Sequence, residues 1–166
     1  MALTKLNYTG QGTIPIASIP TITGAKMPTG SVIQTVSNSY STAVQTGGSS
    51  ADTGLTCSIT PSSTSSKVLI IVNQPLSISA DTNTARDINF KLAKSDGTVL
   101  TNGMAEISNQ TGGKVPAYNA IVFLDSPNTS SSVTYKTTFG VNSGSVDVYA
   151  NQHGAKSTMT LQEIAG

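Results

Sequence analysis

Apolar and polar residues alternate along short stretches of this chain, and glycine, serine and proline separate the stretches. Leu55, Cys57 and Ile59 alternate with Thr56, Ser58 and Thr60, the period-two pattern of a strand with one buried face. Ile88, Phe90 and Leu92 alternate with Asn89, Lys91 and Ala93 and run into Asp96-Gly97 before Val99 and Leu100 return, which predicts a hairpin. Residues 67–73 (KVLIIVN) form a continuous apolar run fit for a central strand, and Pro75 is expected to interrupt it. Further strands are predicted at 30–37, 104–108, 118–125, 133–141, 146–151 and 158–164, about nine in all. Residues 38–53 read as a polar connection ending in a Gly-Gly loop. In the last strand Met159, Leu161 and Glu163 share one face, and Thr158, Thr160, Gln162 and Ile164 share the other.

No stretch shows a convincing helical period. Many short strands with Gly, Ser and Pro turns predict an all-β, antiparallel β-sandwich or jelly roll. One internal echo fits that reading: residues 60–66 (TPSSTSS) before Val68 resemble residues 126–132 (SPNTSSS) before Val133. Both are proline-started, serine-filled loops feeding a strand, and they are expected to be equivalent turns at the sheet edge.

The first thirty residues are different. Ile14, Ile16, Ile19 and Ile22 carry apolar side chains while Pro15, Pro20 and Pro28 forbid a helix. The segment is too short and interrupted to span a bilayer, and it lacks the charged start and continuous apolar core of a secretion signal. The chain therefore divides into an extended attachment segment at 1–30 and a β-sandwich head at 31–166. The segment reads as a strap that docks on another chain; packing as an edge strand on its own sandwich is the alternative.

Composition narrows the functional classes. Only 10% of the 166 residues are charged and the net charge is +1, against roughly 25% charged in an average domain. With Lys and Arg scattered, neither a nucleic-acid footprint nor a polybasic membrane patch is indicated. The single cysteine, Cys57, permits no intrachain disulfide and reads as a small buried hydrophobe. His153 is the only histidine, so no His pair is available for a metal site, and it is expected in an exposed turn. Asp81, Asp87 and Asp96 lack calcium-loop spacing. Gly10 and Gly12 lead into Thr13-Ile14-Pro15 rather than a phosphate-binding helix. Glu106 and Glu163 are the only glutamates; a glycosidase would need them across one cleft, and both are expected on exposed strand faces. No catalytic, cofactor or metal residues are assigned, and the chain is not read as an enzyme.

Several motifs together resemble a family of short structural proteins of tailed bacteriophages, especially those of marine bacteria. They are the Met-Ala-Leu-Thr start, residues 19–32 (IPTITGAKMPTGSV), residues 58–68 (SITPSSTSSKV), residues 123–127 (FLDSP) with 134–136 (TYK), and the closing EIAG at 163–166. The likeness covers nearly the whole chain, although 78–115 is not diagnostic. It implies a virion surface fibre or knob with a jelly-roll head, by analogy a homotrimer arranged like tumour necrosis factor. In such a trimer the strand at 157–164 would lie near the symmetry axis.

The expected mechanism is binding. Ile14, Ile16, Ile19, Ile22 and Met27 would anchor the strap to other virion proteins of the tail or capsid or to a neighbouring subunit. Thr46, Gly47 and Gly48, then Asn109, Gln110 and Thr111, and then Asn142 and Ser143 would form loops offered to a host-surface glycan or protein. Tyr40, Tyr118 and Tyr149 are expected to be packed strand residues, with stacking on sugar rings as the alternative. The resemblance implies a protein made in the host bacterial cytoplasm and carried on the virion surface. A short tail fibre for host adhesion is the first expectation, a capsid head-fibre or decoration protein the second. A polysaccharide-degrading tailspike is disfavoured by length and by the missing acidic cluster.

Overall fold

The computed structural model describes residues 27–80, 84–109, 113–141 and 146–166, with backbone alone at 79–80, 84–86, 104–109 and 113–115. Its elements are β1 (Val32–Tyr40), β2 (Val44–Thr46), β3 (Ala51–Ile59), β4 (Lys67–Ala80), β5 (Thr84–Lys94), β6 (Val99–Asn109), β7 (Gly113–Asp125), β8 (Val133–Val141), β9 (Asp147–Ala150) and β10 (Ser157–Ile164), with a 3-10 turn at Gln152–Gly154. The strap isoleucines Ile14, Ile16, Ile19 and Ile22 lie outside the described residues, as do Gln110, Thr111, Asn142 and Ser143.

The strands form two antiparallel sheets. In the first, β4 is central. β7 pairs one side of β4 from Val68 to Ala80, while β10 pairs Lys67–Asn73 and β9 pairs Leu76–Ser79. Thus β9 and β10 occupy successive halves of the same side of β4. β2 and β1 then pair β9 and β10 in the same way. Read as two broken strands, these four pieces make the first sheet four strands wide, facing the four of β3-β8-β5-β6. First then pairs with last, β3 with β8, β4 with β7, and β5 with β6. That is one long hairpin rolled up on itself, the jelly-roll wrap of an antiparallel sandwich.

The alternating residues build the core. Leu55, Cys57 and Ile59 of β3, Ile88, Phe90 and Leu92 of β5, Tyr135 and Phe139 of β8, and Met159 and Leu161 of β10 are all buried. Those of β3, β5 and β8 meet Val68, Ile70, Val72, Leu76 and Ile78 of β4 across the sandwich, and Met159 and Leu161 flank Val72 and Ile70 within the same sheet. Each such side chain contributes about 1.5–3 kcal/mol on leaving water. Burial pushes the Cys57 thiol up despite a backbone bond from Ser58, as befits a small hydrophobe. The Asp96-Gly97 hairpin forms as expected, with Gly97 at φ 93 and Thr98 N–H donating to Asp96 Oδ1.

Two expectations need correction. Pro75 does not interrupt β4, which runs on to Ala80. The Pro75 carbonyl accepts from Asn151 N–H at 3.2 Å, and a strand residue's N and O point to the same side. The missing N–H of Pro75 therefore faces the gap between β9 and β10, where no ladder bond is required. Residues 38–53, read as a connection, instead complete β1, form β2 and begin β3.

The two serine-filled loops do occupy matching places. Residues 60–66 carry the chain from β3 to β4, and 126–132 carry it back from β7 to β8. Val68 pairs with Asp125, so both loops cross between the sheets at one end. Close approach at the other end demands a small residue: a Cβ on Gly140 would run into the Ser49 backbone. Gly140→Ala is therefore expected to cost about 1–3 kcal/mol through overpacking, read as a lower midpoint in urea denaturation with an unchanged slope.

Candidate binding surfaces

The rolled hairpin sorts the connections into two poles. At the entry pole lie residues 27–31, the 60–66 and 126–132 crossings, the Asp96-Gly97 turn and the last residues of the chain. Gly30 N–H donates to Ala165 O, and Ala165 N–H donates to Ser31 O, both at 2.8 Å. Met27, the described member of the proposed anchors, is half-buried and lines a pocket of about 240 Å³ with Ile33, Ser62, Ala165 and Gly166.

Glu163 organises this pole, and it corrects the expectation of an exposed carboxylate: it is 0% exposed. Its Oε1 accepts from Ser62 N–H, Ser62 Oγ and Ser66 Oγ, each at 2.7 Å. Its Oε2 accepts from Gln34 Nε2 at 2.6 Å. Burial raises the carboxyl pKa, but the bonds from Ser62, Gln34 and Ser66 outweigh it and hold the group below the ordinary glutamate value. These four bonds hold β1, β10 and the 60–66 loop together. Nearby, Tyr135 O–H donates to Asp125 Oδ2 at 2.8 Å, and Lys94 pairs with the same oxygen at 3.0 Å. Burial and then the Asp125 carboxylate drive the Tyr135 phenol far up.

At the opposite, loop pole, Thr46 ends β2 half-buried, with Gly47 and Gly48 exposed beyond it. Gly48 N–H donates to Thr46 Oγ1 at 3.1 Å, and Gly48 O accepts from Val141 N–H at 3.0 Å. The strand ends flanking 81–83, 110–112 and 142–145 gather here too. Thr84 pairs with Asn109, Ala80 with Gly113, Ser79 with Asp147, and Ile88 with Val141. The described residues that flank the three expected loops thus share a single end of the sandwich. β4 is 14 residues long, so the poles lie about 45 Å apart.

A third surface sits at mid-height, where the strands are broken. Between the sheets, Gln74, Thr53, Thr137 and Asn151 are each 0% exposed. Gln74 Nε2 donates to Asn151 Oδ1 at 2.9 Å, Thr137 Oγ1 donates to Gln74 Oε1 at 3.3 Å, and Thr53 and Thr137 share a hydrogen bond at 2.5 Å. Asn151 Nδ2 also donates to the carbonyls of Thr42 and Thr53. From this anchor the Gln152–Gly154 turn folds over the outer face of the first sheet. It covers Pro75 and Ser77, whose positions would otherwise face solvent, and Ser77 Oγ donates to Gln152 Oε1 at 2.9 Å. The turn and the sheet enclose a groove of about 160 Å³ lined by Pro75, Pro116, Tyr118, Gln152, His153 and Ala155. Tyr40 and Tyr149 are half-buried strand residues, but Tyr118 is 68% exposed beside this groove, contrary to the expectation that it packs. His153 is exposed in its turn, as expected. Sequence reasoning missed the groove because its walls come from three segments far apart in the chain.

Among the described residues, no cluster of three or more His, Cys, Asp or Glu side chains is arranged to hold a metal ion. No helix among them is long and apolar enough to cross a membrane. No protein-family model matches the chain, and no curated protein does. Solved structures similar to it include T=1 particles derived from infectious bursal virus (11% identity, 82% of this chain and 37% of that one, TM-score 0.42). Another is the VP2 subviral particle of infectious bursal disease virus (14% identity, 82% and 39%, TM-score 0.40). A third is the Gx strain of the same virus (13% identity, 82% and 39%, TM-score 0.39). These are not proteins of a tailed bacteriophage, and the chain spans under two-fifths of each.

Proposed function

We propose that this chain is a virion structural protein of a tailed bacteriophage. In this reading it is a short trimeric surface fibre of the tail, with residues 1–30 docked on the particle and the jelly-roll head exposed for host adhesion. The observation that carries the reading is the separation of the two ends. The chain enters the head beside Ala165, while Thr46, Gly47, Gly48 and Asn109 belong to the far pole with the strand ends that flank the other candidate loops. A head tethered at the entry pole holds its loop pole away from the tether by about 45 Å. The motif resemblance supports the virion setting, and the committed Glu163 carboxylate speaks against a glycosidase pair built on it.

Gold-labelled antibody against the protein, viewed on intact particles by electron microscopy, tests this directly. Label at the tail is the expected result. Label over the whole capsid would replace the fibre with a head-fibre or decoration protein, and unlabelled particles would end the virion reading. Deleting residues 1–26 supplies the second test. The truncated head is expected to keep its cooperative unfolding and lose particle incorporation; incorporation at the full-length level would refute the strap.

A further inference from the structure

The groove at mid-height has the features of a prepared site. Tyr118 presents an exposed ring next to two proline rings, Pro75 and Pro116, which form a rigid apolar floor. Opposite stands a turn in which Asn151 and His153 both hold left-handed backbone at φ 56. Asn and His take this backbone more readily than other non-glycine residues, and their surroundings can fix them in it. The surroundings do so through Asn151, whose side chain is tied by Gln74 and by the Thr42 and Thr53 carbonyls. The next residue, Gln152, has its Oε1 taken by Ser77 Oγ, which fixes the amide and leaves its Nε2 protons for a ligand. His153 adds an imidazole able to donate and accept. No Asp, Glu, Lys or Arg lines the groove.

We infer that this groove binds a single ring of a neutral glycan, the C–H face of a pyranose lying on Tyr118 and its hydroxyls bonded by Gln152 and His153. The inference deepens the adhesion reading above and moves receptor contact from the loop pole to the side of the head. Size supports one ring, since about 160 Å³ falls below the pockets that take drug-sized ligands. The lining sets the charge class, because a carboxylate on the ligand would find no Lys or Arg there. A shallow one-ring site implies weak affinity, about 1–10 mM per site, raised by repeating the site in an oligomer.

Saturation-transfer NMR on the full-length protein is the test, with methyl α-D-glucopyranoside and methyl β-D-galactopyranoside as neutral probes and methyl β-D-glucuronoside as the charged one. Transfer to ring C–H protons of at least one neutral probe is expected, and less to the glucuronoside. Tyr118→Ala should weaken that binding at least tenfold, Gln152→Ala severalfold, and Tyr118→Phe little. Val122→Ser, on the same exposed face but outside the groove, should leave it unchanged. No transfer from either neutral probe at about 20 mM, or binding indifferent to Tyr118→Ala, overturns the inference. So does a self-association lost in Tyr118→Ala without sugar binding, which would make the face a contact between copies. Labelled particles with no sugar binding would sink this site alone; sugar binding with unlabelled particles would sink the virion assignment alone.

Discussion

Glu163→Ala is expected to lower the stability of the head by about 3 kcal/mol at neutral pH. A hydrogen bond to a charged group contributes about 1.5–3 kcal/mol, and this carboxylate accepts four. The loss is less than their sum because Ser62 is exposed and regains water, whereas Ser66 stays buried with its hydroxyl unmatched. The sign of the pH dependence follows from the shift. The folded carboxyl titrates below its ordinary value of 4.5, so its contribution is complete above that value. It is lost as pH falls through the lower folded value. The gap between wild type and Glu163→Ala, measured by urea denaturation, should therefore be wide at pH 7 and shrink on acidification below 4.5. A gap independent of pH would mean that the side chain acts by packing alone. Glu163→Gln should recover only part of the loss, since its amide opposes the Gln34 donor at one of the two positions.

The second large effect is expected at Gln74. Gln74→Leu keeps much of the volume but takes the donor from buried Asn151 Oδ1 and leaves the Thr137 hydroxyl only its bond with Thr53. An unsatisfied buried group costs about 1–3 kcal/mol, so a loss of about 3 kcal/mol is expected, seen as a lower denaturation midpoint. The polar residues act as a set, so Thr137→Val should cost less in the Gln74→Leu background than alone. Strict additivity in that double-mutant cycle would show that the network is only a set of independent bonds.

The sequence made the strands legible wherever one face is buried. Leu55-Cys57-Ile59 and Ile88-Phe90-Leu92 alternate because each strand turns one side to the core, and the Asp96-Gly97 turn announced itself. Pro75 was misleading because its tolerance depends on a break in the neighbouring strand, a fact held in residues 151–156 and not near residue 75. Glu163 shows a different limit. The period placed it with Met159 and Leu161 on the buried face, while its charge argued for solvent. The period wins because the serines of a loop 97 to 101 residues away supply the donors. Those serines read correctly as turn formers, but their role as carboxylate ligands depends on strand order. The same is true of the groove, where Tyr118, Pro75 and His153 meet only because β4 pairs β7 on one side and flanks the β9–β10 break on the other.

The place of β10 has a consequence for how the molecule is made. It is the last of the described strands, yet it lies between β1 and β4 in the middle of its sheet. Until it leaves the ribosome, both neighbours carry open edges, and Ile70 and Val72 lack part of their cover. The long-range pairing of first strand with last also makes closure slow. A chain terminated before residue 157 leaves β1 without its partner in the first sheet and the Lys67–Asn73 edge of β4 open, a surface prone to aggregation and proteolysis. Synthesis is thereby proofread by topology: only a polypeptide carried through to β10 joins β1 to β4 and completes the head.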